Sequence, residues 1–224
     1  MDAGEIKRMA LKRFSGAVVV LGAIFFLPAG TLRYWQAWVY LAVLLVPMVL
    51  VLRYLMRHDP ELLERRLAMQ EERKKQSVIQ LLASVAWLAA FLIPGFDQRF
   101  GWSAVPLPLV VVSDLLVLGG YLLFFLVMKQ NSYAARVIRV QEGQTVITTG
   151  PYALVRHPMY LAVLTMLLFS PLALGSYWAM IPVLLMPLFL VLRIQDEEEM
   201  LVQELPTYRE YTQQTRFRLI PGVW

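Results

Sequence analysis

The chain lacks cysteine and has only two histidines in 224 residues. Without cysteine it has no disulfides, no thiolate metal ligands and no cysteine nucleophile. The histidines, His58 and His157, lie far apart in the sequence, and their spacing does not predict a metal site. A glycine-rich dinucleotide fingerprint and a phosphate-binding P-loop are also missing, which excludes the usual soluble nucleotide sites.

Charge is scarce as well. Charged residues make up 17% of the chain and hydrophobic residues 58%, whereas a soluble domain carries about 25% charged residues. The apolar residues form continuous blocks, and a helix needs roughly 20 of them to cross a bilayer. Blocks that are continuous rather than alternating favour helices over a barrel. The sequence therefore predicts an all-α polytopic membrane protein.

Six membrane spans are predicted. Four cover approximately residues 14–28, 35–55, 78–96 and 105–128, with turns such as 97–102 between them. The last apolar stretch, 159–192, contains Pro171 and Gly175, so we expect a tight helical hairpin that forms the fifth and sixth spans. Between the second and third spans, residues 57–77 predict an amphipathic helix with Asp59 as its N-cap and Pro60 at its first position.

The pattern predicts one integrated membrane unit, in which residues 1–140 supply helices and loops and residues 141–224 supply a binding region. Basic residues precede the first apolar stretch, as in a signal peptide, but no cleavage site follows, so we expect a retained first helix. Asp114 lies within the fourth span, where an acid is either functional or close to a helix end.

The distribution of basic residues predicts the orientation. If the N-terminus is cytoplasmic and six spans alternate, 19 of the 21 lysines and arginines lie on the cytoplasmic side, and only Arg33 and Arg99 lie outside. We therefore expect both termini to be cytoplasmic. A basic, cysteine-free chain favours a prokaryotic inner membrane over the endoplasmic reticulum. The basic residues then face membrane lipids, and nucleic acid is not an expected partner.

Two polar clusters flank the last apolar stretch. The first is residues 150–160, which contain Arg156, His157 and Tyr160, and the second is residues 193–199, which contain Arg193 and four consecutive acids. A hairpin would bring both clusters to one end. Buried charges of both signs are tolerated when they pair with each other or with a ligand, so a zwitterionic ligand would suit them.

These clusters belong to an ordered set of motifs. The sequence contains, in this order, GPY and RHPMY at 150–160, RIxxEExxL at 193–201, YxxY at 208–211 and RxIP at 218–221. This set resembles the isoprenylcysteine carboxyl methyltransferase family, to which phospholipid methyltransferases are related. The resemblance covers about residues 141–224. The amino-terminal half resembles the family only in being helical membrane sequence.

The resemblance implies a methyltransferase that uses S-adenosyl-L-methionine, with its cofactor pocket roofed by the C-terminal segment. The cofactor-binding residues that it implies are Gln144, Tyr152, His157, Tyr160, Glu197, Glu198 and Tyr208. It also implies that Arg193 and Arg218 bind a substrate carboxylate, with Arg156 behind them. Arg193, Arg156 and Glu197 are the expected catalytic residues.

The expected chemistry depends on the acceptor. A carboxylate is already ionised at neutral pH and needs no general base, only positioning and exclusion of water. An amine must first lose a proton, which a glutamate could accept. The expected acceptor is a lipophilic carboxylate from the bilayer, as in O-methylation of isoprenylcysteine. A small lipophilic acid or amine is as good an acceptor as a prenylated protein substrate.

Other interpretations also remain open. One is an NADPH-dependent membrane reductase of the sterol-reductase kind, and another is a non-catalytic membrane protein that binds a partner or headgroups. Taken singly, the motifs have simple structural explanations. His157 and Pro158 are typical of a helix start, residues 196–199 of a solvated helix face, and Tyr208 and Tyr211 of interfacial anchors.

Overall fold

The computed structural model of the protein describes residues 3–67, 74–133 and 145–224. Within these ranges the chain is helical and contains no strand. The helices, with one 3₁₀ turn at Gly150–Ala153, are α1 (Ala3–Ala29), α2 (Trp35–His58), α3 (Pro60–Leu67), α4 (Lys74–Phe100), α5 (Leu107–Gln130), α6 (Pro158–Ala173), α7 (Met180–Val183), α8 (Met186–Glu204) and α9 (Tyr208–Gln214). The predicted all-α class is confirmed.

Four helices are long and apolar enough to cross a membrane, namely α1, α2, α4 and α5. They correspond to the first four predicted spans, although α1 begins well before the predicted residue 14 and α5 begins just after the predicted residue 105. The third span continues to Phe100, so that most of the predicted 97–102 turn is helical, and Gly101 then turns the chain with a φ of +66°. This is an integral membrane architecture.

The last apolar stretch is divided differently from the expected pair of spans. Helix α6 has 16 residues, which is shorter than the roughly 20 needed to cross a bilayer perpendicularly. Gly175 follows it with a φ of +76°, in the left-handed region that favours glycine. The short α7 comes next, and Pro187 lies in the first turn of α8. Three helices, α6, α7 and α8, therefore occupy the stretch that was predicted to be a hairpin of two spans.

Helices α1 and α4 approach each other closely at Gly95. A side-chain carbon there would lie 2.8 Å from the backbone oxygen of Phe25, so only glycine permits this separation. Phe25, Tyr40 and Phe91 fill the adjacent core, with ring centroids 5.9 to 6.1 Å apart. Small residues at helix contacts and aromatic packing commonly stabilise membrane bundles.

Helices α5 and α6 pack through a second glycine. A side-chain carbon at Gly120 would lie 2.8 Å from Met166 Cγ and 3.0 Å from the backbone oxygen of Ala162. This contact holds the start of α6 beside the end of α5. The 150–160 motif is therefore fixed against the bundle.

Helix α3 begins as predicted. The Asp59 carboxylate accepts a hydrogen bond from the Leu62 backbone N–H at 2.9 Å, and Pro60 occupies the first helical position. Leu62 and Leu63 are buried against Leu55 and Met128. The apolar side of this amphipathic helix thus packs on the bundle. Residues 68–73 of the predicted helix lie outside the described residues.

Two acids are buried within the bundle. Asp97 accepts hydrogen bonds from the Ser103 backbone N–H at 2.7 Å, the Ser103 hydroxyl at 2.6 Å and the Ser176 hydroxyl at 2.5 Å. It ties the end of α4 to the segment after α6. Asp114 in α5 is also buried, and its Oδ1 atom has no hydrogen-bond partner among the described residues.

Candidate functional site

A cavity of about 630 Å³ lies where the two polar clusters meet. Its wall comes from α3, α4, α5, α6, α8, α9 and the segment before α6. Its apolar section includes Trp87, Phe124, Val163, Leu167 and Phe189. Its polar section includes Tyr152, Arg156, His157, Tyr160, Arg193, Glu197, Tyr208 and Tyr211. A volume of this size is typical of sites for small molecules and cofactors.

Behind this wall lies a buried ion cluster centred on Glu198. Arg156 Nε donates to Glu198 Oε1 at 2.6 Å, and Arg218 Nε donates to Glu198 Oε2 at 2.6 Å. His157 Nε2 lies 3.2 Å from the same Oε1 atom, and the Tyr208 hydroxyl lies 3.4 Å from it. Glu198 therefore joins the loop before α6, helix α8, helix α9 and the C-terminal segment.

The electrostatics of Glu198 are set by these contacts. Burial by itself disfavours the charged form, but hydrogen bonds from His157, Arg156 and Arg218 outweigh burial and hold the pKa of Glu198 well below its ordinary value. The carboxylate is ionised at neutral pH. Its negative charge offsets the positive charge of Arg156, which is itself almost fully buried.

The C-terminal segment is attached to the 150–160 motif through the backbone. The N–H groups of Arg156 and His157 donate to the carbonyls of Phe217 and Arg218, each at 2.9 Å. Arg156 Nη1 also donates to the carbonyl of Thr215 at 3.0 Å and to that of Arg216 at 2.9 Å. Arg156 is thus surrounded by acceptors, and it holds the C-terminal segment against the loop before α6.

A separate polar row faces the cavity. The Tyr160 hydroxyl donates to Glu197 Oε2 at 2.6 Å and accepts from Arg193 Nε at 3.0 Å. Arg193 and Glu197 are four residues apart on α8, so they share one face of that helix. Tyr160 on α6 lies between them and fixes both. This row places a cation and an anion side by side on the cavity wall.

Tyr152 connects several parts of the site. Asn131 Nδ2 donates to its hydroxyl at 2.8 Å, and the Tyr211 hydroxyl donates to its backbone carbonyl at 2.6 Å. Burial raises the pKa of Tyr152 to about 12, although the bond from Asn131 acts against that rise. Burial likewise raises the pKa of Tyr211 to about 12. Both phenols are neutral hydrogen-bonding groups at physiological pH.

Most of the predicted site residues lie together. Tyr152, Arg156, His157, Tyr160, Arg193, Glu197 and Tyr208 all line the cavity. Glu198 and Arg218 belong to the ion cluster behind it, where Arg218 also lies over the Trp224 ring at 5.2 Å. Gln144 lies outside the described residues. The individual roles predicted for these residues in cofactor and substrate binding remain predictions.

Sequence reasoning missed the wall residues that come from the helices before the 150–160 motif. Arg66 comes from α3, Trp87 from α4 and Phe124 from α5. Arg66 lies in the predicted amphipathic helix, to which no site residue was assigned, and the burial of Leu62 and Leu63 next to it places that helix on the cavity. In the part of the chain that the structure describes, no group of three or more histidines and acids is arranged to hold a metal ion.

Comparison with known proteins agrees with this geometry. Residues 110–203 match the model of the isoprenylcysteine carboxyl methyltransferase (ICMT) family. This part of the chain, 94 of its 224 residues, resembles the ICMT family, as the ordered motifs indicate. No curated protein matches the chain. The matched residues run from α5 to the end of α8 and include Tyr152, the RHPMY motif and both glutamates of RIxxEExxL.

The ICMT match supports a membrane methyltransferase, in agreement with the apolar helices. It ends before α9 and the C-terminal segment. Arg218 and Tyr208 both contact Glu198, so the C-terminal segment and α9 pack against the matched residues. The methyl donor and the acceptor are a separate question.

Proposed function

We propose that the protein transfers a methyl group from S-adenosyl-L-methionine to a lipophilic carboxylate that enters from the bilayer. One observation carries this proposal. A single cavity has the Arg193–Tyr160–Glu197 row in its polar section and continues into an apolar section formed by α4, α6 and α8. A polar cofactor and an apolar acceptor can therefore meet in one cavity.

The wall residues fit the proposed cofactor. The molecule has a flat aromatic base, a ribose diol, and an amino acid end with charges of both signs. The rings of Tyr152, Tyr208 and Tyr211 offer flat surfaces for the base. Glu197 is an acceptor for hydroxyl or ammonium groups, and Tyr160 holds it in place before any ligand binds.

The charges on the wall favour an anionic acceptor. Among the wall residues, three are arginines and one is a glutamate, namely Arg66, Arg156, Arg193 and Glu197. Glu198 behind the wall offsets Arg156. The cofactor adds a positive sulfonium, so an acceptor that is also cationic would be repelled in a site of low dielectric constant. A carboxylate would be attracted.

A bound cofactor would supply a methyl group on a positively charged sulfur. In-line transfer to a carboxylate oxygen would form a methyl ester and release the neutral thioether S-adenosylhomocysteine. The protein needs no general base for this, because a carboxylate is ionised at neutral pH. Arg193 orients the acceptor through paired N–H donors. The ion cluster keeps His157 and the C-terminal segment fixed. Such positioning can supply several kcal/mol of the barrier reduction.

The proposed orientation is the one expected from the basic residues. With both termini cytoplasmic, the polar section of the cavity faces the compartment that contains the cofactor. The apolar section then lies at bilayer depth. In this arrangement the cofactor enters from the cytoplasm and the lipophilic acceptor enters from the bilayer.

The test is calorimetric binding of S-adenosylhomocysteine to the detergent-purified chain, with NADPH titrated in parallel. We expect micromolar binding of the first and none of the second. Glu197→Ala should weaken the affinity tenfold or more. The matched control is Glu199→Ala, which changes an exposed acid of the same run. Binding of NADPH alone would support the reductase, and binding of neither to folded protein would contradict the enzyme proposal.

A further inference from the structure

Arg66 has a fixed place on the cavity wall. Helix α3 is anchored because Leu62 and Leu63 are buried against Leu55 and Met128. Arg66 lies one turn after Leu62 and lines the cavity. Its position is therefore set by a packed helix and not by a loose surface chain.

The guanidinium of Arg66 is held by two other wall residues. Its central carbon lies 4.8 Å from the centroid of the Phe124 ring, and Nη1 lies 3.5 Å from the Met159 sulfur. Met159 directly precedes Tyr160 in α6, so Arg66 contacts a residue next to the polar row. Two arginines from different elements, Arg66 and Arg193, thus line the cavity beside Tyr160.

This setting suits a carboxylate. A guanidinium stacked on an aromatic ring keeps its N–H groups in its own plane, where they can form paired bonds to a carboxylate. It has five N–H donors, so an arginine that already has a partner can still donate to a ligand. Neither the Phe124 ring nor the Met159 sulfur carries a charge.

The apolar section of the wall begins beside this arginine. Phe124 is part of it, and Trp87, Val163 and Leu167 continue it between α4 and α6. An acceptor whose charged group lies at Arg66 can therefore keep its hydrocarbon chain on apolar side chains throughout. The geometry favours a single-chain amphiphile with one anionic end.

We propose that Arg66 is an acceptor-binding residue that, together with Arg193, holds the anionic group of a single-chain amphiphile lying along Trp87, Val163 and Leu167. This inference rests on the proposed function for its meaning, since it names the second substrate of the same cavity. Arg66 lies outside the ICMT-matched residues. If Arg66 binds the acceptor, residues before the matched region help to determine which acceptor is bound.

The test measures binding without turnover. Dibrominated stearate quenches tryptophan fluorescence on contact, and Trp87 is the tryptophan on the described wall. Titrations at about pH 8.5, where the fatty acid is ionised, are compared with the dibrominated alcohol of the same chain length. Trp87→Phe protein gives the signal from the other tryptophans, which is subtracted.

We expect Arg66→Gln to weaken stearate binding tenfold or more while the alcohol binds as before. Arg66→Lys keeps the charge but not the planar fork, so stearate should bind a few-fold more weakly than to the native chain. The matched control is Arg57→Gln, an exposed arginine at the end of α2 that does not line the cavity. It should change neither titration.

Two outcomes would overturn the inference. One is unchanged stearate affinity in Arg66→Gln, and the other is an equal loss for stearate and alcohol, which would indicate a packing role. If Arg66→Gln does not fold, Arg66→Lys decides alone, and native affinity for stearate contradicts the inference. Failure of S-adenosylhomocysteine to bind would reject the proposed function separately, since the stearate titration does not need the cofactor.

Discussion

Arg156 and Glu198 form a buried ion pair at 2.6 Å that connects the loop before α6 to helix α8 across 42 positions of the chain. Arg218 and His157 lie against the same carboxylate. The pair is thus the centre of the ion cluster that lies behind the cavity wall. Its contribution is to order the site, while Glu197 next to it faces the ligand space.

Removing the charge of Glu198 should destabilise the protein strongly. Glu198→Gln leaves Arg156 buried without its partner, and breaking such a pair costs about 3–5 kcal/mol. Glu199→Gln, one residue further on an exposed face, should change stability by less than about 0.5 kcal/mol. Thermal unfolding of both variants in the same detergent checks this. Equal melting temperatures would contradict the structural role of the cluster.

The same carboxylate predicts how stability depends on pH. The pKa of Glu198 is lower in the folded chain than in the unfolded chain. Its stabilisation is therefore complete above the unfolded glutamate pKa of about 4.3 and is lost as pH falls below that value. Melting curves between about pH 7 and pH 3 should show this loss. The slope should be shallower in Glu198→Gln, and an unchanged slope would exclude Glu198 as its source.

Tyr160→Phe should weaken cofactor binding without unfolding the protein. The hydroxyl holds Glu197 at 2.6 Å and Arg193 at 3.0 Å, and removing one partner of buried polar groups costs about 1–3 kcal/mol. We expect affinity for S-adenosylhomocysteine to fall about tenfold by calorimetry. Tyr177→Phe, at a half-exposed tyrosine after α6, is the control. Native affinity in both would show that the row does not touch the cofactor.

Two neighbouring glycines of α5 should respond oppositely to alanine. Gly120→Ala places a carbon 2.8 Å from Met166 and 3.0 Å from the Ala162 oxygen, so we expect a loss of about 1–3 kcal/mol from overpacking. At Gly119 nothing lies within 4 Å, and alanine should be neutral or stabilising by up to about 1 kcal/mol. Detergent melting temperatures distinguish them. Similar losses in both would contradict the close α5–α6 contact.

The predicted orientation can be tested by labelling, because the native chain has no cysteine. Single cysteines replace exposed residues at opposite ends of the bundle, Gln213 after Tyr211 and Trp102 after α4. A membrane-impermeant maleimide applied to intact cells should label Trp102→Cys only. Gln213→Cys should react after lysis. The reverse pattern would place the polar clusters outside the cell.

Much of this architecture is determined by local sequence. The four long spans, the Asp59 cap with Pro60 and the approach of the two polar clusters are all predictable from hydropathy, capping chemistry and short connections. The ends of helices were less predictable. Residues 97–100 continue α4 because Ser103 and Ser176 satisfy the Asp97 side chain, and a partner from after α6 cannot be read from the local pattern.

The different positions of Glu197, on the cavity wall, and Glu198, in the ion cluster, could be predicted in part. Arg193 and Glu197 are one helical turn apart, which predicts a shared face, whereas Glu198 lies on the next face. The partners of Glu198 come from segments before α6 and after α9, and these contacts depend on tertiary packing that the local sequence does not reveal. Arg66 was missed for the same reason, since α3 reaches the cavity only through the burial of Leu62 and Leu63.

The adjacency of Glu197 and Glu198 makes the register of α8 unusually constrained. Each residue added to a helix rotates all later side chains by about 100° around the helix axis. A single insertion between Arg193 and Glu197 would turn Glu197 away from Tyr160 and separate Glu198 from Arg156 and Arg218 in one step. Substitutions in this turn can be compensated individually, but a change of length cannot. We expect any protein with the same cavity to have the same sequence spacing between the residues that correspond to Arg193, Glu197 and Glu198.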